Sequence, residues 1–218
     1  MLLIIYSERL CSSRNAHPVT ALMISMEERA FTRLETERLI LRRFTDADLT
    51  AFVAYLNDPL VARYQTWEDY PEETARERIE EQKTLAPGVP GKAFTFALEL
   101  KETGALVGHL VLTVQEKDAR QAEIGFTLAR EFHGQGLAAE GAAGVLAYAF
   151  TELKLHRVFA ITDCENDSSV ALLERLGMRR EGHFIQNIWF KEKWGDEYSY
   201  ALLRAEWLAQ HRPLRSGS

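Results

Sequence analysis

At 218 residues the chain has the length of one domain with room for an appended tail. Its 26 Lys and Arg against 32 Asp and Glu leave a formal charge of −6, which argues against a nucleic-acid binder working through a general basic surface. No apolar run reaches the ~18 residues of a membrane span. Cys11 and Cys164 are too few for a disulfide framework or a four-ligand zinc site and read as free thiols in a reducing cytosol. The opening run Leu2–Tyr6 is shorter than a signal-peptide core and no basic stretch precedes it, so a cytoplasmic location is expected. Residues 1–29 carry Met1, Met23 and Met26 with little periodicity and are expected to be a loose tail or the product of an upstream start codon. The domain is expected over 30–210, with a C-terminal tail at 211–218.

Thr36–Arg42 reads as a first strand, apolar in its middle. Thr45-Asp46-Ala47-Asp48 is a variant capping box, followed by Leu49, Phe52, Val53 and Leu56 at helical spacing. Asp58-Pro59 opens a short helix, and Pro71 opens a Glu/Arg-rich one through about Lys83. After the Pro/Gly loop Ala86–Gly91 the period switches to two. Phe94, Phe96, Leu98 and Leu100 form one half-buried strand, Leu106 to Val114 a second and Ala122 to Leu128 a third, an antiparallel meander. A helix from about Leu137 to Leu153 follows, kept slim by alanines and by Gly141 and Gly144. Arg157–Thr162 is a buried strand, Ser169 caps a short helix ended by Gly177, and two last strands fit Met178–Phe190 and Glu197–Leu203.

Glu131-Phe132-His133-Gly134-Gln135-Gly136, at the start of the long helix, has the outline of an anion site. Glycines let a ligand approach the backbone, and the first helical N–H groups lack internal partners. The bland alternative is a tight strand-to-helix turn. A P-loop is excluded because no Gly-Lys-Ser/Thr follows. A dinucleotide fingerprint matches formally in Gly134–Ala139. It is disfavoured because the preceding strand alternates, five residues separate Leu128 from Gly134, and too little chain follows Asp163 to complete a doubly wound sheet.

In this order, several segments together resemble the GNAT superfamily of acyl-CoA-dependent N-acetyltransferases, and within it the RimJ/RimL (ribosomal-protein N-terminal acetyltransferase) type. They are Thr36–Arg42, Ala122-Glu123-Ile124-Gly125-Phe126, His133–Glu140, Asn166-x-x-Ser169, Glu174–Met178 and Asp196-Glu197-Tyr198-x-Tyr200. The likeness spans about Arg33 to Gln210, and His133 departs from it by standing where Gln or Arg is usual. It implies a mixed α+β fold whose central, mostly antiparallel sheet splays between two parallel strands, with helices on both faces. It also implies acetyl-CoA as co-substrate. The pantetheine arm would lie along Phe126, Thr127 and Leu128, the pyrophosphate would meet the backbone of His133, Gly134, Gln135, Gly136, Leu137, Ala138 and Ala139, and Asn166 would contact the arm from the second strand. An amide near Leu128 would polarise the thioester carbonyl, and an amine would attack directly.

Three residues are candidates for the chemistry. Glu123, beside the implied cleft, is a candidate base; otherwise it is a solvated or salt-bridged strand acid. Ser169 and Tyr198 carry hydroxyls near the expected thiolate; more simply, Ser169 caps a helix and Tyr198 walls the acceptor cleft. Cys164 with His156 or His183 has no spacing that supports an acyl-enzyme, and the histidines lack metal-ligand spacing, so no metal is expected. Trp67, Tyr64 and Trp189 read as core or pocket wall, and Glu72–Glu81 as a solvated helix face. The expected activity is acetyl transfer to a primary amine, a protein N-terminus first and a small amine (polyamine, antibiotic or amino acid) second. The reading from another class is a non-catalytic acyl-CoA-binding module. Acceptor choice is expected in the helices of Thr45–Lys83 and a Phe190–Tyr198 loop. A monomer or homodimer is expected, with no nucleic-acid or membrane partner.

Overall fold

The structure, a computed structural model, describes residues 31–211. The expectations for residues 1–29 and for nearly all of 211–218 lie outside the described residues. One open mixed sheet of eight strands runs in the order β1-β2-β3-β4-β5-β6-β8-β7. Its strands are β1 (Arg33–Glu35), β2 (Leu39–Arg42), β3 (Ala93–Leu100), β4 (Leu106–Val114), β5 (Gln121–Leu128), β6 (Arg157–Asp163), β7 (Arg179–Phe190) and β8 (Lys193–Leu203). The first predicted strand is thus two short ones, because Thr36 turns the chain and its hydroxyl receives the Leu39 N–H at 3.1 Å.

Helices α1 (Leu49–Leu56), α2 (Pro59–Ala62) and α3 (Glu72–Thr84) cover one face, while α4 (Leu137–Thr151) and α5 (Asp167–Arg175) cover the other. A last helix, α6 (Arg204–Gln210), lays Trp207 against Phe150. The capping box forms as expected: the Asp48 carboxylate accepts from the Thr45 N–H at 2.7 Å and from its hydroxyl at 2.9 Å. Helix α3 buries Ala75, Ile79 and Gln82 and leaves its glutamates in water.

The main core lies between the sheet and α4. There Phe94, Phe96, Leu98, Leu110, Leu112, Ile124 and Phe126 meet Leu137, Ala142, Val145 and Phe150. Gly141 permits this approach, since a Cβ there would stand 3.0 Å from Leu110 and 3.3 Å from Leu98. A second core under α1 and α3 joins Phe44, Phe52, Tyr55, Leu56, Val61 and Ile79 to Ala97. The central strands are therefore buried on both faces rather than half-buried. Their polar positions survive there because they find partners: His109 Nδ1 bonds the Tyr55 hydroxyl at 2.7 Å, and the Thr95 N–H donates to Gln82 at 2.8 Å.

The site is positioned by β5 and β6. They run parallel but pair only from Gln121–Arg157 to Glu123–Phe159. From Ile124 to Leu128 the β5 edge that faces β6 has no strand partner, while its other edge stays zipped to β4 as far as Leu128–Gly108. The sheet opens there into a wedge. The predicted Phe190–Tyr198 loop is instead a hairpin: Lys191 and Glu192 both take positive φ in a two-residue turn, and β8 starts at Lys193.

Candidate active site

The wedge opens into a cleft of about 940 Å³, the upper end of ordinary ligand pockets and enough for a large cofactor. Phe126 and Leu128 form its floor. The stretch His133–Ala139 forms one wall and the start of α5 another, and Leu60, Arg63 and Tyr64 roof it. Arg130 and Arg175 add two cations at its rim, where a polyanionic ligand gains most from them.

The glycine loop is built to present backbone. Gly134 and Gly136 sit at φ +75° and +77°, conformations that L side chains resist. Gly136 is the N-cap of the 15-residue α4, so the orphan N–H groups of its first turn face the cleft. The loop is held from outside: Arg38 donates to the Gln135 carbonyl at 3.0 Å and pairs with Glu140 at 2.7 Å. His133, the departure from the usual pattern, folds back so that Nε2–H donates to the Leu128 carbonyl at 3.0 Å, tying the loop to the end of β5. Gln135 also turns away, its amide donating to the Glu131 carbonyl at 2.9 Å.

Of the residues singled out from sequence, Phe126, Leu128, His133, Gly134, Gly136, Leu137, Ala138, Ala139 and Asn166 line the cleft together. Thr127 points to the opposite sheet face, where its hydroxyl lies 3.4 Å from the Gln65 amide. Ser169 is buried but is not the cap of α5; that is Asn166, whose Oδ1 accepts the Ser169 N–H at 3.3 Å. Asn wins because its side chain reaches back along the turn from outside the helix. Tyr198 faces the α5 side of the sheet, away from Glu123, with the Arg180 guanidinium 4.1 Å over its ring. Burial raises the Cys164 thiol above its ordinary value, the opposite of what a nucleophile needs. Trp189 is neither core nor pocket wall: it is 60% exposed on the edge hairpin, beside Trp194. Among the described residues no group of three or more His, Cys, Asp or Glu is placed to hold a metal ion, and no helix is long and apolar enough to cross a membrane.

Glu123 sits at the last paired position before the strands part, and alternation along β5 points it to the face away from α4. Glu197 on β8 and Asp163 on β6, which are cross-strand partners, lie on that same face. Burial first, and the charge of Glu197 second, push the Glu123 carboxyl up to about 7. The cleft lining therefore joins backbone amides and arginines to Glu165 and Asp167, while Glu123, Asp163 and Glu197 share the opposite sheet face. Glu197, Arg63, Arg130 and Arg175 escaped the sequence reading. Glu197 stood inside a quoted segment, but nothing in that segment distinguishes it from its neighbours.

Residues 38–179 match the family described as the acetyltransferase (GNAT) domain. The chain is 33% identical over 174 residues to the uncharacterized N-acetyltransferase YnaD of Bacillus subtilis, covering 80% of this chain and 98% of that one. A GNAT-family acetyltransferase structure from Bacillus anthracis superposes with a TM-score of 0.71 at 33% identity, over 80% of this chain and all of the other. Spermidine N(1)-acetyltransferase of Escherichia coli is 27% identical over 93 residues, 43% of this chain and 50% of its own length.

Proposed function

We propose that this chain, which belongs to the GNAT acetyltransferase family, moves the acetyl group of acetyl-CoA directly onto a primary amine, with a protein N-terminal α-amine as the first acceptor class and Glu123 as the general base. The chain is an acetyltransferase, and acetyltransferases of this family use acetyl-CoA. The cleft suits that co-substrate. The unpaired edge of β5 over Ile124–Leu128 offers backbone groups to the amides of the pantetheine arm, and the α4 N-terminus with Arg130 and Arg175 offers donors and positive charge to its phosphates.

The observation that carries the base reading is the half-buried Glu123 carboxyl at the parting of the strands, held above the ordinary carboxylate range by burial and by the charge of Glu197. An α-amino group, near 8, is already partly neutral at physiological pH, whereas a lysine or polyamine amine near 10.4 needs more help, and this ranks the α-amine first. Glu123 takes the ammonium proton and the free amine attacks the thioester carbon. A backbone N–H near Leu128 steadies the developing oxyanion, and CoA leaves as the thiol. A polyamine is the second reading, favoured by the carboxylates Glu123, Asp163 and Glu197 on the acceptor face and by the spermidine-acetylating relative.

The test is thiol release from acetyl-CoA across a panel of Ser-, Ala- and Met-led peptides, spermidine, single amino acids and an aminoglycoside. The peptides are expected to give the largest kcat/KM. Larger values for spermidine would select the second reading. Tight acetyl-CoA binding with no thiol release from any amine would identify a binding module and overturn both.

A further inference from the structure

The reaction just proposed leaves one buried acid without a task. Glu197 is 3% exposed. Its Oε2 accepts a hydrogen bond from the Asn187 amide, but Oε1 is buried with no hydrogen-bond partner. A carboxylate oxygen in that state is destabilising unless something arrives to bond it. Of the nearby cations, Lys193 pairs with Glu165 at 3.3 Å, Lys191 donates to the Ala62 carbonyl at 3.0 Å, and Arg63 lies over the Tyr64 ring at 5.1 Å. Asp163, the cross-strand neighbour, spends Oδ1 on the Glu165 N–H at 2.7 Å. Glu197 shares its sheet face with Glu123, two strands away, and its charge is the second cause that raises the Glu123 carboxyl. Two carboxylates, one with an unbonded buried oxygen, thus stand on the sheet face opposite α4, beside the parting of β5 and β6.

Resting on the reading of Glu123 as base, we infer that Glu197 anchors the acceptor: its Oε1 takes a hydrogen bond from the incoming primary ammonium and holds that nitrogen opposite Glu123 and the thioester. The site therefore recruits amines as cations and disfavours neutral nitrogen nucleophiles such as anilines. The ammonium passes one proton to the Glu123 carboxylate. The nitrogen lone pair then forms the N–C bond to the thioester carbon while the C–S bond breaks with its electron pair on sulfur. The second nitrogen proton goes to that thiolate. The products are the amide and CoA thiol, and the proton on Glu123 leaves to solvent. Glu197 transfers no proton in this sequence, and of the reactants it touches only the amine.

The charged and titratable groups around this pair are Asp163 on β6, Glu165 in the turn after it, Arg63 and Tyr64 just after α2, and Lys193 on β8, with the Asn187 amide on β7. None of them supplies a cation bonded to Glu197 Oε1. The test compares wild type with Glu197→Gln, Glu197→Asp and Glu123→Gln, using spermidine and a Ser-Ala-Gly amide as acceptors from pH 5.5 to 9. Glu197→Gln is expected to raise the amine KM at least tenfold while the acetyl-CoA KM stays within twofold. It should also move the acid limb of kcat/KM at least half a pH unit lower, because the negative neighbour of Glu123 is gone. Glu197→Asp should recover part of the amine KM. An amine KM within twofold of wild type with an unmoved acid limb overturns the assignment, as does a melting temperature more than 10 °C below wild type at pH 8, which would mark Glu197 as a structural acid. If Glu123→Gln keeps the wild-type rate and limb, the base reading fails by itself, and the amine KM still decides Glu197. A readout free of turnover is the carbon-13 carboxyl resonance of Glu197 in CoA-saturated enzyme. Either amine should displace it, and no displacement by both overturns the anchor.

Discussion

Replacing Glu123 by Gln tests the site through stability and rate together. Folding raises this carboxyl from its ordinary 4.5 to about 7, burial first and Glu197 second. A carboxyl so raised holds its proton more tightly folded than unfolded, so its ionisation opposes the fold. Nothing is lost below about pH 4.5, the loss grows between 4.5 and 7, and it is complete above. At about 1.4 kcal/mol per pH unit the ceiling is roughly 3 kcal/mol, and local relaxation reduces it to about 1.5–3. Glu123→Gln keeps the shape and removes the ionisation. With about 2–4 °C of melting temperature per kcal/mol for a domain of this size, the variant should melt ~3–10 °C above wild type at pH 8.5 and within 1 °C of it at pH 4. Its kcat should fall ~10²-fold at pH 7, with the deficit shrinking toward pH 9.5 as more amine arrives neutral. Differential scanning fluorimetry at the two pH values and thiol release across the range make both measurements. Equal melting at pH 8.5 would refute the buried, repelled carboxylate, and a wild-type kcat at pH 7 would refute the base.

Gly136→Val places a side chain at φ +77° where the α4 N–H groups must be approached; calorimetric acetyl-CoA affinity should drop more than tenfold, and an unchanged affinity would take the loop out of the site. Arg38→Ala removes the ion pair to Glu140 and the tie to the Gln135 carbonyl, and should weaken acetyl-CoA binding about fivefold with little change in the amine KM. Gly141→Val drives methyls into Leu110 and Leu98; overpacking of this kind destabilises by roughly 1–3 kcal/mol, seen as a lower urea midpoint. Deleting residues 1–29 keeps Phe31, whose ring packs edge-on against Phe94 and Phe96, so melting temperature and acetyl-CoA affinity should both hold.

Local signals carried far in this sequence because their physics is local. The period-two alternation of Phe94–Leu100, the reach of Asp48 back to Thr45, and the glycines that must adopt positive φ before α4 each depend on residues a few positions apart; the strand, the capping box and the glycine turn all form, although the strand is buried on both faces rather than one. The order of those signals was enough to mark the GNAT likeness and the backbone side of the cleft. Identity of the cap of α5 was nearly legible, but Asn166 and Ser169 both suit a cap, and only the turn after β6 decides between them. Which face a strand residue serves was not legible, since it depends on what packs there: Thr127 left the cleft for Gln65, and Tyr198 went under Arg180. Glu197 and Glu123 are 74 positions apart in the chain, and their charges meet only because β8 inserts between β6 and β7. A carboxyl's ionisation depends on its solvent and on its neighbours. Both come from the assembled sheet, so the amino-acid order alone supplied the candidate base, while the tertiary structure supplied its buried setting and its partner.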